Sequence, residues 1–214
     1  MNVKLIQHTE ILLFRRRYRI AKRLLDLALI LLFLPLLLVL MALIAIAIYL
    51  DNPGPVLFNQ LRTGKGGQRF KMYKFRTMVT NAEELKEKYA SLNELTSPDF
   101  KISDDPRVTR VGRILRKTSL DELPQIFNVI KDEMSLVGPR PTSFAGSTYS
   151  FWQTERLEVL PGMTGLWQVS GRSDVDFDDR TRLDIKYIEQ QSIWLDIKIL
   201  FRTVATVIGR RGAY

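Results

Sequence analysis

The chain of 214 residues is long enough for one domain with an additional membrane element, and its 32 Lys and Arg residues outnumber its 23 Asp and Glu residues, giving a formal charge of +9. This surplus favours an anionic partner such as nucleic acid, anionic lipid or a phosphorylated substrate. The absence of cysteine excludes thiol catalysis, disulfides and cysteine-ligated zinc, and the single histidine, His8, argues against a histidine base or a multi-histidine metal site. Carboxylates are therefore the leading candidates for catalysis.

An uncharged apolar block covers residues 27–50. About 20 apolar residues suffice to cross the hydrocarbon core of a membrane. The block is longer than the apolar region of a signal peptide, and no A-x-A-like cleavage site follows it. Pro35 divides it into parts of about 12 Å and 22 Å, neither of which crosses alone. We therefore expect a helix that breaks at Pro35 and returns, although a kinked spanning helix is also compatible with this sequence.

The charges on both sides of the block are consistent with a helix that returns. Positive charge prefers the cytoplasm, and two equally basic flanks give no single orientation for a spanning helix. A re-entrant helix places both flanks on the cytoplasmic face. These flanking residues are Arg15, Arg16, Arg17, Arg19, Lys22 and Arg23 before the block and Arg62, Lys65, Arg69, Lys71, Lys74 and Arg76 after it.

Short strands and helices follow the block. A turn at residues 51–55 leads into predicted strands at 56–60 and 69–76, joined by the glycine-rich sequence TGKGG at 63–67. This loop lacks the residue order of a phosphate-binding P-loop and is more typical of a hairpin turn. Further predicted elements are helices at 81–95, 108–117 and 119–130, a proline-fixed connection at 135–141, and a short strand between two turns at 161–172.

The end of the chain predicts two helices, at residues 176–190 and 193–209. The second places Trp194, Phe201 and several aliphatic residues on one side, with Asp196 and other charged residues away from it. Such a stripe is compatible with packing against the core. It is equally compatible with an amphipathic helix that lies at a membrane interface.

The adjacent acids Asp121 and Glu122 differ from the other acidic pairs of the chain in their setting. The S-x-x-E pattern that begins at Ser119 is that of a capping box, which places both acids in the first turn of a helix, where free amides keep them ionised. Most such patterns only cap helices. Nearby arginines nevertheless indicate phosphate binding, because guanidinium groups match phosphate oxygens. They are Arg110, Arg113, Arg116 and, in a turn between two prolines, Arg140.

Two acids among arginines are typical of phosphoryl transfer through a carboxylate nucleophile, with a metal ion to shield the phosphates. Two other functions are compatible with the residues. Asp174 and Asp176 form the D-x-D pattern of a metal-dependent glycosyltransferase, although the strand–helix alternation of that class is missing. The basic flanks would also suit a membrane-anchored protein that binds anionic lipid or nucleic acid. The interleaved basic and aromatic residues of RFKMYKFR are explained equally well by an alternating strand.

Four long motifs, in this order, resemble the monotopic phosphoglycosyl transferases, the bacterial family of polyprenyl-phosphate sugar-1-phosphate transferases that initiate glycan synthesis. They cover nearly all of the chain after residue 20. The motifs are KRLLDLALILLFLPLLLVL (22–40), GPVLFNQLRTGKGGQRFKMYKFRTM (54–78), DPRVTRVGRILRKTSLDELPQIFNVIKDEMSLVGPRP (105–141) and PGMTGLWQVSGR (161–172).

The resemblance implies a predominantly helical α+β fold with a re-entrant membrane helix broken at Pro35, amphipathic interfacial helices and a small β element. Many members have serine before that proline, where this chain has Leu34. The expected organisation is a basic N-terminal segment (1–21), a re-entrant membrane helix (22–50) and a catalytic domain at the cytoplasmic face (51–214). Larger relatives carry extra membrane helices and a further domain, so we expect the minimal catalytic unit.

The resemblance also implies a reaction. Asp121 would attack the β-phosphate of a UDP-sugar, release UMP and hold the sugar phosphate covalently until polyprenyl (undecaprenyl) phosphate accepts it. Asp121 and Glu122 would hold Mg²⁺. This is the first membrane step of exopolysaccharide or other glycoconjugate synthesis. Arg116, Arg140, Lys74 and Arg76 are expected to bind substrate phosphate, and Gln168, Ser170 and Arg172 to face the nucleotide.

The expected partners are the UDP-sugar, polyprenyl phosphate and membrane lipid, without nucleic acid, and a homodimer is left open. The expected location is the cytoplasmic face of the bacterial inner membrane. The C-terminal sequence GAY at 212–214 resembles members that transfer a hexose in exopolysaccharide synthesis.

Overall fold

The computed structural model describes residues 16–89, 93, 102, 104–170 and 176–209. These residues form a predominantly helical protein with two small two-stranded sheets, in agreement with the predicted α+β class. Most of the basic N-terminal segment, Arg172, Asp174 and the C-terminal GAY sequence lie outside the described residues. The helices are α1 (Arg16–Asp51), α2 (Glu84–Lys88), α3 (Arg110–Thr118), α4 (Ile126–Ile130), α5 (Phe177–Glu189) and α6 (Ile193–Ile208), and the strands are β1 (Leu57–Thr63), β2 (Arg69–Phe75), β3 (Ser135–Val137) and β4 (Gly162–Thr164).

Helix α1 runs for 36 residues and continues through Pro35. The predicted break at Pro35 is therefore not seen. Leu34 and Leu37, on either side of the proline, pack against the buried clusters that α1 forms with the rest of the protein, and this packing supports the helical path despite the lost hydrogen bond. In the described part of the chain, α1 alone has the length and apolar composition to cross a membrane. Its re-entrant path stays a prediction.

One face of α1 packs against the rest of the protein along nearly the whole helix. Ile30, Met41, Ile44 and Ile48 are buried and recur at helical spacing, so they share that face. Met41, Ile44 and Ile48 pack with residues of β2, α3 and α4, and Ile30 joins a second cluster near β3. The other faces of α1 are apolar and exposed, with Ile20, Leu24, Leu31, Leu32, Phe33, Leu36, Val39, Leu43, Ile46 and Leu50 among the exposed residues.

The N-terminal part of α1 is attached to the domain by buried polar contacts. Lys22 Nζ lies 2.7 Å from Asp196 Oδ2 on α6, and Asp196 also accepts a hydrogen bond of 2.6 Å from the Tyr187 hydroxyl on α5. Asp26 accepts a hydrogen bond of 2.6 Å from Ser135 on β3. Burying these groups is tolerated because each one is paired. The network therefore fixes where α1 begins relative to α5, α6 and β3.

The segment after α1 forms an antiparallel hairpin in which Leu57 pairs with Phe75 and Thr63 with Arg69. The TGKGG sequence makes the turn, as the sequence predicts. Gly66 and Gly67 both have positive φ there, at 63° and 77°, which a side chain would disfavour. The hairpin matches the two predicted strands, with β1 extended to Thr63. Helix α2 is shorter than the predicted helix at 81–95, half of whose remaining positions lie outside the described residues.

Helix α6 shows which alternative holds for its apolar stripe. Trp194 and Phe201 are each 74% exposed, whereas Asp196 and Ile199 are each 1% exposed and face the core. Packing of the predicted stripe against the core is therefore wrong for these two aromatic residues. The exposed aromatic side is instead compatible with an interfacial helix. Helices α1 and α6 pack together.

Candidate active site

Asp121 and Glu122 lie in the first turn of a 3-10 helix (Leu120–Gln125) that follows α3 directly. Ser119, between the two helices, has a left-handed conformation with φ of 55°, so the chain turns sharply there. The predicted placement of both acids in a first turn is confirmed. The predicted capping box is wrong, because the Ser119 side chain makes no cap hydrogen bond and Glu122 faces distant cations instead.

A close approach between α3 and the chain after β2 brings Arg116 to this turn. A Cβ on Gly112 would lie 2.1 Å from the carbonyl oxygen of Thr77, so only glycine permits the contact. Thr109 and Asp51 accept hydrogen bonds of 3.0 Å from the first amides of α3 and fix its start. At the other end of α3, Arg116 Nε donates a hydrogen bond of 2.9 Å to the Thr77 hydroxyl.

Glu122 is held between two cations from different parts of the chain. Arg140 Nη2 lies 2.6 Å from Glu122 Oε1 and Arg140 Nη1 lies 3.2 Å from Oε2, which is a fork that grips both oxygens. Lys74 Nζ, from β2, donates a hydrogen bond of 2.8 Å to Oε1. Burial alone would raise the pKa of Glu122, but the charges of Arg140 and Lys74 hold it well below its usual range. Glu122 is therefore a fixed anion.

Asp121 has a different environment from its neighbour. Its nearest cation is Lys74, whose Nζ lies 3.9 Å from Oδ2, and no side chain in the described ranges donates a hydrogen bond to it. Burial raises the pKa of Asp121 above its usual value, and the Glu122 charge adds to this, while Lys74, Arg116 and Arg140 oppose it. Both acids were expected to be stabilised as anions, and in the structure this holds for Glu122 only. A more basic carboxylate without a hydrogen-bond partner is suited to act as a nucleophile.

The loop that carries Arg140 is fixed by hydrogen bonds from β4 and from Arg156. Pro139 and Pro141 flank Arg140, and the Pro139 carbonyl accepts a hydrogen bond of 2.8 Å from Gly162 on β4. Arg156 Nη2 donates to the Arg140 carbonyl at 2.8 Å and to Asp184 Oδ2 on α5 at 2.6 Å. Arg156 and Asp184 are 5% and 1% exposed. A buried ion pair therefore links α5 to the residue that grips Glu122.

The remaining predicted residues lie elsewhere. Arg76 is buried beside the end of α1, where its Nη2 donates to the carbonyl of Asn52. Gln168 and Ser170 donate hydrogen bonds to backbone carbonyls of their own segment. Asp176, of the D-x-D pattern, caps α5 by accepting a hydrogen bond of 2.8 Å from the amide of Asp179. The structure thus brings together Lys74, Arg116, Asp121, Glu122 and Arg140.

Comparison with known proteins identifies the family. The family model described as bacterial sugar transferase matches residues 17–210. This chain belongs to the bacterial sugar transferase family. The family predicted from the four motifs is confirmed, and the acid pair with its cations lies within the matched region.

Several bacterial sugar transferases resemble the chain over most of its length. It is 43% identical to the galactosyl transferase CpsE of Streptococcus agalactiae and 44% identical to the undecaprenyl-phosphate galactose phosphotransferase of Salmonella typhimurium, over 94% of this chain in each case. It covers 45% and 43% of those two proteins, so it spans less than half of their length. It is also 39% identical to the exopolysaccharide production protein ExoY of Sinorhizobium fredii, over 91% of this chain and 88% of that protein.

Sequence reasoning missed three residues of this sugar transferase site. Arg156 and Asp184 form the pair behind Arg140, and Arg62 lines a cavity beside it. None of them lies in a local pattern with the acid pair, since their partners are distant in sequence. Arg156 and Asp184 are recognisable only after folding, as charged side chains that become almost fully buried.

Proposed function

We propose that this protein transfers a hexose 1-phosphate from a UDP-sugar to polyprenyl phosphate through a covalent intermediate on Asp121. The observation that carries this proposal is the contrast within the acid pair. Arg140 and Lys74 bind Glu122, while Asp121 is buried, has a raised pKa and receives no hydrogen bond from any side chain that the structure describes. The names of the relatives support the same chemistry, since one is called an undecaprenyl-phosphate galactose phosphotransferase.

In the first half of the reaction, a carboxylate oxygen of Asp121 attacks the β-phosphorus of the donor. A bond forms between that oxygen and phosphorus, and the bond from phosphorus to the bridging oxygen breaks. UMP leaves with the bridging oxygen and its electron pair. Lys74 and Arg140 lie where they can stabilise the negative charge that moves to the phosphates, which is the main contribution of a protein to phosphoryl transfer.

In the second half, a phosphate oxygen of polyprenyl phosphate attacks the same phosphorus. The bond to Asp121 breaks, the lipid diphosphate sugar leaves, and the free carboxylate is restored. Arg116 contacts Thr77, and Arg76 contacts Asn52 at the end of α1. Of these two cations, Arg116 acts electrostatically on Asp121, so we assign it to the acceptor phosphate, whereas Arg76 lies away from the acid pair.

Mg²⁺ is the expected metal ion. Among the described residues no cluster of three or more His, Cys, Asp or Glu side chains could hold a metal by itself, and the carboxylates of the site are Asp121 and Glu122. Mg²⁺ is commonly bound through one or two carboxylates together with substrate phosphates, and the pair fits that requirement. When bound, it would neutralise charge on the diphosphate.

The packing of α1 supports attachment to one face of the bacterial inner membrane. A helix that crosses a bilayer as a single isolated span meets lipid on all sides, whereas α1 packs against the domain from Lys22 to Ile48. A straight helix of 36 residues would be about 54 Å long, well beyond the membrane core of about 30 Å. Because both ends contact the same domain, we infer that both ends face the cytoplasm and that only the outer face of α1 meets lipid.

This topology predicts that the start of α1 and the hairpin that follows α1 are labelled from the same side. The chain has no cysteine, so Arg19→Cys and Lys65→Cys each introduce one thiol at an exposed position. In inside-out membrane vesicles a membrane-impermeant maleimide should label both variants, and in right-side-out vesicles neither. Labelling of the two variants from opposite sides would instead show a spanning helix.

The covalent step is tested with the purified full chain, UDP-hexoses and Mg²⁺ in the absence of lipid acceptor. We expect one UMP to be released per chain and intact-mass spectrometry to show a hexose phosphate on Asp121. Addition of polyprenyl phosphate should remove this adduct. Turnover with lipid, but no adduct and no UMP release without it, would establish direct transfer and exclude the intermediate.

A further inference from the structure

A cavity of about 150 Å³ lies next to Arg140. Its walls come from β1, the loop after Arg140, the segment after β4 and the first turn of α5. Neither the acid pair nor Lys74 lines it, so it is a separate compartment that shares Arg140 with the active site. The residues that carry the argument are Arg62, Arg140, Phe144, Trp167, Phe177 and Arg180.

The cavity has the size and aromatic lining for a single flat ring. A cavity of about 150 Å³ is large enough for a molecule the size of benzene, which corresponds to one six-membered ring. Phe144 and Phe177 form an edge-to-face pair with centroids 5.3 Å apart. The Arg180 guanidinium lies 5.6 Å from the centre of the Trp167 ring. Aromatic and guanidinium planes of this kind stack with nucleobases.

The same cavity is strongly positive next to Arg140. Arg62 lies on its wall, makes no ion pair with any described carboxylate, and has a buried Nε without a hydrogen-bond partner. Burial and the charge of Arg140 together lower the pKa of Arg62 to about 10, which shows how closely these like charges are brought together. Two guanidinium groups held in this way favour an anion between them.

Arg140 connects this cavity to the reacting groups. It lines the cavity, and its guanidinium also grips Glu122 beside Asp121. A ligand with a ring at one end and phosphates at the other could therefore occupy the cavity and extend past Arg140 to Asp121. The cavity is lined by the start of α5, whereas Lys22 of α1 contacts Tyr187 near the other end of that helix, so the two lie toward opposite ends of α5.

We propose that this cavity binds the pyrimidine nucleoside end of the donor, with Trp167, Phe177 and Arg180 around the base and with Arg62 and Arg140 on the diphosphate. This inference rests on the proposed function, since it names the part of the donor that the cavity takes. It assigns nucleotide recognition to a compartment formed mainly by residues other than Gln168 and Ser170.

The test compares Arg180→Gln and Trp167→Leu in the full chain, with Arg182→Gln as the matched control. Arg182 is an arginine of the same helix, 70% exposed and outside the cavity. Titration calorimetry with UDP, ADP and inorganic pyrophosphate gives three dissociation constants for each protein. We expect both cavity variants to bind UDP about tenfold more weakly, because a stacking partner is lost, and to bind pyrophosphate within about twofold of the unsubstituted chain. The control should match the unsubstituted chain, which should prefer UDP to ADP.

Steady-state kinetics show whether the variants affect the UDP-sugar donor or the lipid acceptor. The Michaelis constant for the UDP-sugar should rise in both cavity variants, while that for polyprenyl phosphate should stay unchanged. The inference is overturned by unchanged UDP binding in both variants, by equal losses of UDP and pyrophosphate binding, or by a change confined to the lipid acceptor. Failure of the proposed function is a distinct result, namely that the unsubstituted chain binds UDP in this cavity but transfers no sugar phosphate.

Discussion

Replacing Asp121 with asparagine should abolish sugar-phosphate transfer and, at the same time, raise the melting temperature of the protein. The loss of activity follows because the amide cannot form the bond to phosphorus, so a decrease in kcat on the order of 10⁴-fold is expected. Asparagine has nearly the same shape, so Lys74, Arg116 and Arg140 should keep their positions. The adduct detected with the unsubstituted chain should be absent.

The stability change has the opposite sign because the folded state holds Asp121 at a raised pKa. An acid with a raised folded pKa binds its proton more tightly in the folded chain than in the unfolded one. The stabilisation that this proton gives the fold is present below the pKa of the unfolded state. It is lost as the pH rises through the pKa of the folded state. At neutral pH and above, the carboxylate therefore destabilises the fold, and a neutral replacement removes that effect. Thermal unfolding at pH 8 measures it.

Glu122→Gln is the matched control, because folding lowers the pKa of Glu122 whereas it raises the pKa of Asp121. Its pKa lies below the usual range, so its ionised form stabilises the fold above the unfolded pKa of about 4.5, and this contribution is lost as the pH falls toward the folded pKa. Removing the charge leaves Arg140 and Lys74 without their shared counter-ion, and the melting temperature should fall. A fall in both variants would show that Asp121 supports the fold rather than the reaction.

Periodicity and turn chemistry in the sequence were sufficient to predict the elements around the site. The hairpin, α3 and the terminal helices depend on local patterns of apolar residues and on glycine turns. The pattern at Ser119 also looked local, but the structure shows that Glu122 binds Lys74 and Arg140, which lie 48 and 18 residues away. Charge-assisted contacts to distant residues are stronger than a cap within one turn, and no local rule detects them.

The apolar block shows a second limit of sequence reasoning. Its composition predicts a membrane helix, and that prediction does not depend on how the rest of the chain folds. Which side of α1 faces protein cannot be predicted when leucine occurs on every side. The structure selects Ile30, Met41, Ile44 and Ile48 through their packing against the domain, and the same packing carries the helix through Pro35.

Replacing Arg156 with methionine should destabilise the protein by about 3–5 kcal/mol, since breaking a buried ion pair leaves one charge without a partner. The pair with Asp184 is 4% and 1% exposed at its side chains. Burial raises the pKa of Asp184 to about 7, against the effect of Arg156, and loss of that arginine should raise it further. A raised pKa of Asp184 in the folded state makes the free energy of unfolding fall as the pH rises through that pKa. The destabilisation by Arg156→Met should therefore be larger at pH 8 than at pH 6. Chemical denaturation at both pH values measures this difference.

The double variant Arg156→Met/Asp184→Leu separates stability from positioning. Two apolar residues of similar volume remove both buried charges, so the free energy of unfolding should return close to that of the unsubstituted chain. Activity should not return, because the Arg140 carbonyl has still lost its hydrogen bond of 2.8 Å from Arg156. We expect kcat to stay about tenfold lower, since small displacements of a group that binds the reacting phosphates slow transfer strongly. A double variant that is both stable and fully active would show that the pair serves packing alone, and that the grip of Arg140 on Glu122 does not depend on α5.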